Sequence, residues 1–197
     1  MSVGEDYNEN LRLKVRITRD SMPAEERSKK SKALAERLSE RLTEYPKETN
    51  LLCFYPVGSE ADLVPFYENA WKKFHLFFPR SGEKDIRFYE VFSFSELSEG
   101  RFRIMEPTET LPDREYRYGD ESDSAPTVVL VPGLVFSKDM HRMGYGRGYY
   151  DRFLKDKDVL KIGICFSEQI FDFEKKPHDV DMDEVITEEG ILRIDER

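Results

Sequence analysis

VPGLVFSKDMHRMGYGRGYYDRFL, residues 131–154, is the stretch around which the chain is organised. The apolar run 127–131 that feeds it has the look of a buried strand, and a helix is expected to begin near Tyr149. Between them stand Gly144, Gly146 and Gly148, with Arg142, Arg147 and Arg152 on and around them. Strand, glycine turn and helix start together make an anion site. Glycine tolerates positive φ and has no Cβ, so backbone N–H groups can crowd a phosphate. A helix start contributes unpaired N–H groups, and arginines contribute charge in a fork. The glycine spacing is neither a Walker A loop nor a dinucleotide fingerprint. The plainer reading is a tight surface turn with solvated arginines. Two features weigh against it. Tyr145, Tyr149 and Tyr150 interleave with the glycines and can stack on a ring, and Asp151 follows directly, where a carboxylate suits magnesium beside a phosphate.

The chain has 197 residues, enough for one domain, and 1–197 is read as a single unit. A net charge of −9 argues against a general nucleic-acid or anionic-membrane binder, so an anionic substrate needs a local basic cluster. Cys53 and Cys165 sit inside apolar runs and read as buried reduced thiols. No run is long enough to span a membrane, and the first residues are polar and acidic; a cytoplasmic location follows as the expectation, and a monomer is expected.

Residues 5–20 read as a basic helix with Leu11, Val15 and Thr18 on one face. Ser21 and Pro23 mark the cap and first turn of a second helix, whose Leu34, Leu38 and Leu42 pack on a core. Residues 51–55 (LLCFY) are a buried strand ending at Pro56 and Gly58, with Glu60 just past it and a helix over 62–73. Strands are expected at 74–78, 86–92 and 160–166, with an edge strand at 191–194. Residues 108–126 are polar and acidic and read as an exposed connection. His141, alone in its loop, reads as polar surface. Strands alternating with helices predict an α/β fold: three layers, a mainly parallel sheet flanked by helices.

Pro132, Gly133, Phe136, Arg142, Gly144, Gly146, Gly148, Tyr149, Tyr150 and Asp151 resemble the signature of the 5-formyltetrahydrofolate cyclo-ligase family, also called 5,10-methenyltetrahydrofolate synthetases. Further pieces resemble it in order: Leu11 and Arg12 in a Lys-x-x-Leu-Arg motif, Glu60 and Asp62, Pro79 and Arg80, Leu97 through Glu106 and Pro107, then Gln169, Asp179, Asp183 and Val185. The resemblance departs at Asn8, where the family has Lys, at Ser137, where it has Asp, and at Met140, where it has Gly. Lys14 or Arg16 could supply the missing cation.

The resemblance implies the same three-layer fold and an ATP-dependent ligase acting on 5-formyltetrahydrofolate, with Mg²⁺. It implies an ATP site at Asn8, Arg12, Arg142, Met143, Gly144, Tyr145, Gly146, Arg147, Gly148, Tyr149 and Tyr150, with Arg147 and Tyr150 catalytic. Asp151 and Asp179 are implied for the metal. Tyr55, Glu60, Phe88 and Tyr149 are implied for the folate, Glu60 accepting from the pterin, with Phe102 as a further wall residue. Two other readings stay open: a phosphosugar or nucleotide enzyme using the same anion loop, and a non-catalytic folate- or nucleotide-binding protein.

Overall fold

The computed structural model describes residues 3–108, 114–119 and 125–194, with the side chains of residues 3–6 and of Phe102 left outside; much of the expected 108–126 connection also lies outside the described residues. Two long helices open the chain, α1 (Val3–Asp20) and α2 (Ala24–Arg41). β1 (Asn50–Leu52), α3 (Val64–Ala70), β2 (His75–Ser81) and β3 (Ile86–Glu90) follow, then a small hairpin of β4 (Leu97–Glu99) and β5 (Met105–Pro107). β6 (Thr127–Pro132) leads to a second small hairpin, β7 (Val135–Phe136) and β8 (Arg142–Met143), and then to α4 (Tyr149–Leu154). β9 (Leu160–Ile164), β10 (Glu184–Ile186) and β11 (Ile191–Arg193) complete the order.

Seven strands form one sheet in the order β11-β10-β9-β6-β1-β2-β3. The five inner strands run parallel, and β3 and β11 close the edges antiparallel. Inner strands of a parallel sheet are covered on both faces, so their sequences are apolar at consecutive positions. Leu51 and Val128 point into one core with α2 and α3, while Leu52 and Val129 point into the other with α4. α1 stands apart from both: its Leu11 and Val15 pack on Leu134, Val135 and Met143 of the β7–β8 hairpin. The buried row of α1 ends at Arg19, not at the expected Thr18, which is exposed. Ser21 does not cap α2 either; its hydroxyl donates to Thr18 O and closes α1, and Pro23 caps α2 without a side-chain bond. Both cysteines are buried free thiols. No described helix is long and apolar enough to cross a membrane.

The β7–β8 hairpin was not expected from the pattern, which reads strand, glycine turn, helix. Its turn is closed by Ser137 N–H to His141 O (3.0 Å) and Met140 N–H to Ser137 O (3.1 Å), with Met140 at φ 64°. A residue in the left-handed region after a tight turn is the usual three-residue hairpin, and glycine is its usual occupant. Here a methionine holds that position with its side chain fully buried. Ser137 Oγ accepts the His141 N–H at 3.2 Å, an acceptor's job that a carboxylate also performs. Both departures from the family pattern therefore preserve the turn. Met140→Gly should still destabilise the protein: lost burial and cavity formation cost about 2–5 kcal/mol, and relief of the left-handed strain returns about 1–2. A net loss of about 1–3 kcal/mol in urea unfolding is the expected result; a gain would mean that backbone strain dominates.

Candidate active site

β1 and β6 are adjacent and parallel, but the chain leaves them in opposite directions: β1 crosses by α3 to β2, and β6 by α4 to β9, on the other face. Their carboxyl ends therefore diverge, and a crevice opens where ligands bind in such sheets. It is a cavity of about 850 Å³, within the range for small-molecule sites. The loop after β1 brings Tyr55, Ser59 and Glu60; β8 and the glycine loop bring residues 142–152; α1 brings Asn8, Arg12, Arg16 and Arg19; the segment after β9 brings Lys176 and Asp179. Eight Arg and Lys side chains line it against six Asp and Glu, a local positive excess in a chain of net charge −9. That local excess favours an anion here.

The glycine loop is held from both ends. Arg12 Nε donates to Gly144 O at 3.3 Å, and Arg152 Nη2 to Arg147 O at 2.9 Å. Gly146 (φ 89°) and Gly148 (φ 64°) take left-handed backbone, and nothing lies within 4 Å of where a Cβ of residue 146 would sit. That glycine serves backbone shape and open approach, not packing. Gly148 caps α4 without a side-chain bond to its first N–H groups. The helix has six residues, so those N–H groups matter more than any macrodipole. Arg147 is exposed on the cavity wall. Met143 is buried against α1 and still touches the cavity.

Arg142 lies almost wholly buried, with Nη2 on Asp151 Oδ2 (2.9 Å), Nη1 on Pro132 O (3.3 Å) and its guanidinium 5.6 Å from the Tyr150 ring centre. Its Nε is buried without a partner among the described residues. Burial and the charge of Glu60 push the Tyr150 phenol up, so it is protonated at neutral pH. The Tyr149 hydroxyl proton is shared between Gly82 O (3.3 Å) and Glu83 O (3.4 Å), tying the β2–β3 turn to the loop.

Glu60 accepts the Tyr145 hydroxyl on Oε1 (2.6 Å) and the Val57 N–H on Oε2 (3.0 Å). Burial pushes its carboxyl up from the ordinary value, against the Tyr145 hydroxyl, the Arg19 charge and the Val57 N–H, which oppose the shift. Arg19, buried at the end of α1, donates to Tyr145 Oη (2.8 Å) and Ser59 Oγ (2.9 Å). The sequence reads Arg19 only as part of a basic helix face and does not single out Ser59. The available signal was the step of four from Leu11 and Val15, which puts an arginine on a buried face.

Other expected residues fall differently. Phe88 is fully buried and does not line the cavity; the register of β3 against β2 turns it under α4, 4.7 Å from Phe153 and 6.3 Å from Tyr150 by ring centres. It backs the wall instead of forming it. Tyr55 lines the cavity with its ring edge on Phe94. Asn8 lines it too, with Nδ2 on Glu174 O (3.0 Å) and Oδ1 buried without a partner among the described residues. Of the two candidate replacement cations, Arg16 lines the cavity and Lys14 lies instead over the Phe171 ring. His141 pairs with Asp181 at 2.9 Å, outside the cavity.

Asp151 and Asp179 both line the cavity. Asp151 Oδ1 accepts the Val180 N–H at 3.3 Å, so the two acids stand on touching segments; Asp179 Oδ2 accepts the Lys176 N–H at 2.8 Å. No group of three or more metal-ligating side chains occurs among the described residues. Magnesium takes one or two carboxylates and fills its remaining positions with phosphate and water, so this donor set fits an ion carried by a triphosphate.

Glu60 makes a stability prediction. Its folded carboxyl holds a proton more tightly than the unfolded one, so its contribution is fully present below the unfolded value and is lost as pH rises through the folded one. Glu60→Gln should remove that loss: the stability difference between variant and wild type should move in the variant's favour from about pH 4.5 upward. Urea unfolding across pH 4–8 reads it, and a pH-independent difference would contradict the assignment.

The family model for 5-formyltetrahydrofolate cyclo-ligases matches residues 5–188. A probable 5-formyltetrahydrofolate cyclo-ligase of Schizosaccharomyces pombe is 28% identical over 135 residues, and the match spans 60% of this chain and 64% of that one. The mouse 5-formyltetrahydrofolate cyclo-ligase is 26% identical over 193 residues, covering 91% of this chain and 93% of its own. The solution structure of Aquifex aeolicus 5,10-methenyltetrahydrofolate synthetase superimposes with a TM-score of 0.80 at 32% identity, over 96% of this chain and 94% of that one. With the family model matched over residues 5–188 and the fold shared with a methenyltetrahydrofolate synthetase, the chain belongs to the 5-formyltetrahydrofolate cyclo-ligase family.

Proposed function

We propose that this chain performs the reaction of its family: ATP-dependent closure of 5-formyltetrahydrofolate to 5,10-methenyltetrahydrofolate, with release of ADP and phosphate. The observation that carries the reading is the meeting, in one cavity, of a cation-lined glycine loop and a half-buried carboxylate oriented by two hydrogen bonds. The first suits a triphosphate and the second the N–H row of a pterin. The proposal takes 1–197 as a single unit acting as a monomer.

The formyl oxygen of an N-formyl group is a poor leaving group. Transfer of the γ-phosphoryl to that oxygen makes it a good one. The second folate nitrogen then attacks the formyl carbon, loses its proton, and phosphate departs with the oxygen. No protein nucleophile is required; positioning and charge stabilisation carry the catalysis. The backbone of 144–148 and Arg147 hold the phosphates, and Arg12 holds the loop that holds them. Arg142 acts from behind, locking Asp151 and the Tyr150 ring in place. Tyr150, protonated, offers its hydroxyl to the phosphoryl group in flight. Glu60 and Tyr55 receive the folate, with Tyr149 bracing the loop beneath. Asp151 and Asp179 would hold Mg²⁺, which when bound neutralises charge on the β- and γ-phosphates.

Product formation, followed by the absorbance of the methenyl compound with 5-formyltetrahydrofolate, ATP and Mg²⁺, should require ATP. EDTA should stop it, and excess Mg²⁺ should restore it. Arg147→Ala should lower kcat/KM by about 10²–10³ while unfolding free energy stays within about 0.5 kcal/mol, as befits an exposed side chain. Equal rates in the two proteins would remove Arg147 from the site.

A further inference from the structure

Arg19, Tyr145 and Glu60 form a directed chain of hydrogen bonds between α1 and the floor of the cavity. A guanidinium has donors and no acceptor. Arg19 Nη2 therefore donates to Tyr145 Oη at 2.8 Å, and the single tyrosine proton is left for Glu60 Oε1 at 2.6 Å. The second is a short O–H···O hydrogen bond. Arg19 is itself fixed, since its Nε donates to Ser59 Oγ, whose hydroxyl donates to Asp20. Val57 N–H occupies one lone pair of the other Glu60 oxygen. The carboxylate plane is thus set from two sides, with a lone pair on each oxygen left for a parallel pair of ring N–H donors. The titratable and charged groups that act on Glu60 are Arg19 from α1, Tyr145 and Tyr150 from the glycine loop and α4, and Tyr67 from α3; Asp20 lies one step further, on Ser59. Among them Arg19 carries the positive charge, and it reaches the carboxylate through Tyr145.

We propose that Arg19 is a positioning residue that acts through Tyr145 to hold Glu60 as an oriented carboxylate for the pterin ring. The tyrosine stands between Gly144 and Gly146, on the loop assigned above to ATP, yet its hydroxyl serves the folate side. The inference rests on the cyclo-ligase reading and goes beyond it by naming two residues that set folate recognition.

The test compares wild type, Tyr145→Phe, Arg19→Gln and the double variant in steady-state turnover across pH 5–9. Tyr145→Phe removes one hydroxyl and keeps the ring. It should raise the folate KM about tenfold at pH 7 and move the acid limb of kcat/KM for folate upward by about 1–2 pH units. The ATP KM should change by less than about twofold. Arg19→Gln should act in the same direction, and the double variant should be little worse than Tyr145→Phe, because the arginine works through the tyrosine. An unchanged folate KM and acid limb in Tyr145→Phe would overturn the proposal, as would fully additive effects. Should Arg19→Gln fail to fold, Tyr145→Phe decides alone. A wild type that folds and makes no ATP-dependent product would overturn the functional reading itself, an outcome distinct from a working wild type whose variants match it.

Discussion

The buried pair between Arg142 and Asp151 is the constraint on which the site depends. One guanidinium joins the end of β6, through Pro132 O, to the first turn of α4, through Asp151. The glycine loop runs between those two anchors, so its shape follows from them. The two side chains are 4% and 13% exposed. A pair that deeply placed adds little net stability, but removing one partner strands the other and costs about 3–5 kcal/mol. What it supplies is geometry. It leaves Asp151 beside the cavity with its orientation settled, and it packs on the Tyr150 ring, which Phe88 also contacts edge to face.

The sheet puts that pair where it is useful. Crossovers leaving β1 and β6 on opposite faces open the crevice, and no insertion is needed to make it. α1 lines the cavity, and it packs on the small β7–β8 hairpin and on the 167–169 turn after β9. Gln169 reinforces the same corner, donating to Gly133 O and Leu134 O, both at 3.0 Å. One helix thus reaches both halves of the cavity, the glycine loop through Arg12 and the carboxylate floor through Arg19.

The parts of this arrangement legible in the sequence are those whose chemistry is local in the chain. The run 51–55, the run 127–131 and the spacing of Gly144, Gly146 and Gly148 announce strands and an anion loop before any tertiary contact is known. The β7–β8 hairpin was hidden because Met140 occupies a left-handed position that glycine would have advertised. β10 was hidden because three residues beginning at Glu184 sit in an acidic run, and that glutamate is buried only by virtue of Arg41 and Arg193. The direction in which Phe88 points is a matter of strand register, and the reach of Arg19 to Tyr145 spans 126 positions. Neither is encoded within a window of neighbouring residues.

Labelling the formyl oxygen of 5-formyltetrahydrofolate with ¹⁸O tests the central claim most directly. If the γ-phosphoryl group is transferred to that oxygen in this cavity, the phosphate released with ADP carries one ¹⁸O per turnover. Unlabelled phosphate, with the isotope appearing in water or remaining in the folate, would contradict the account.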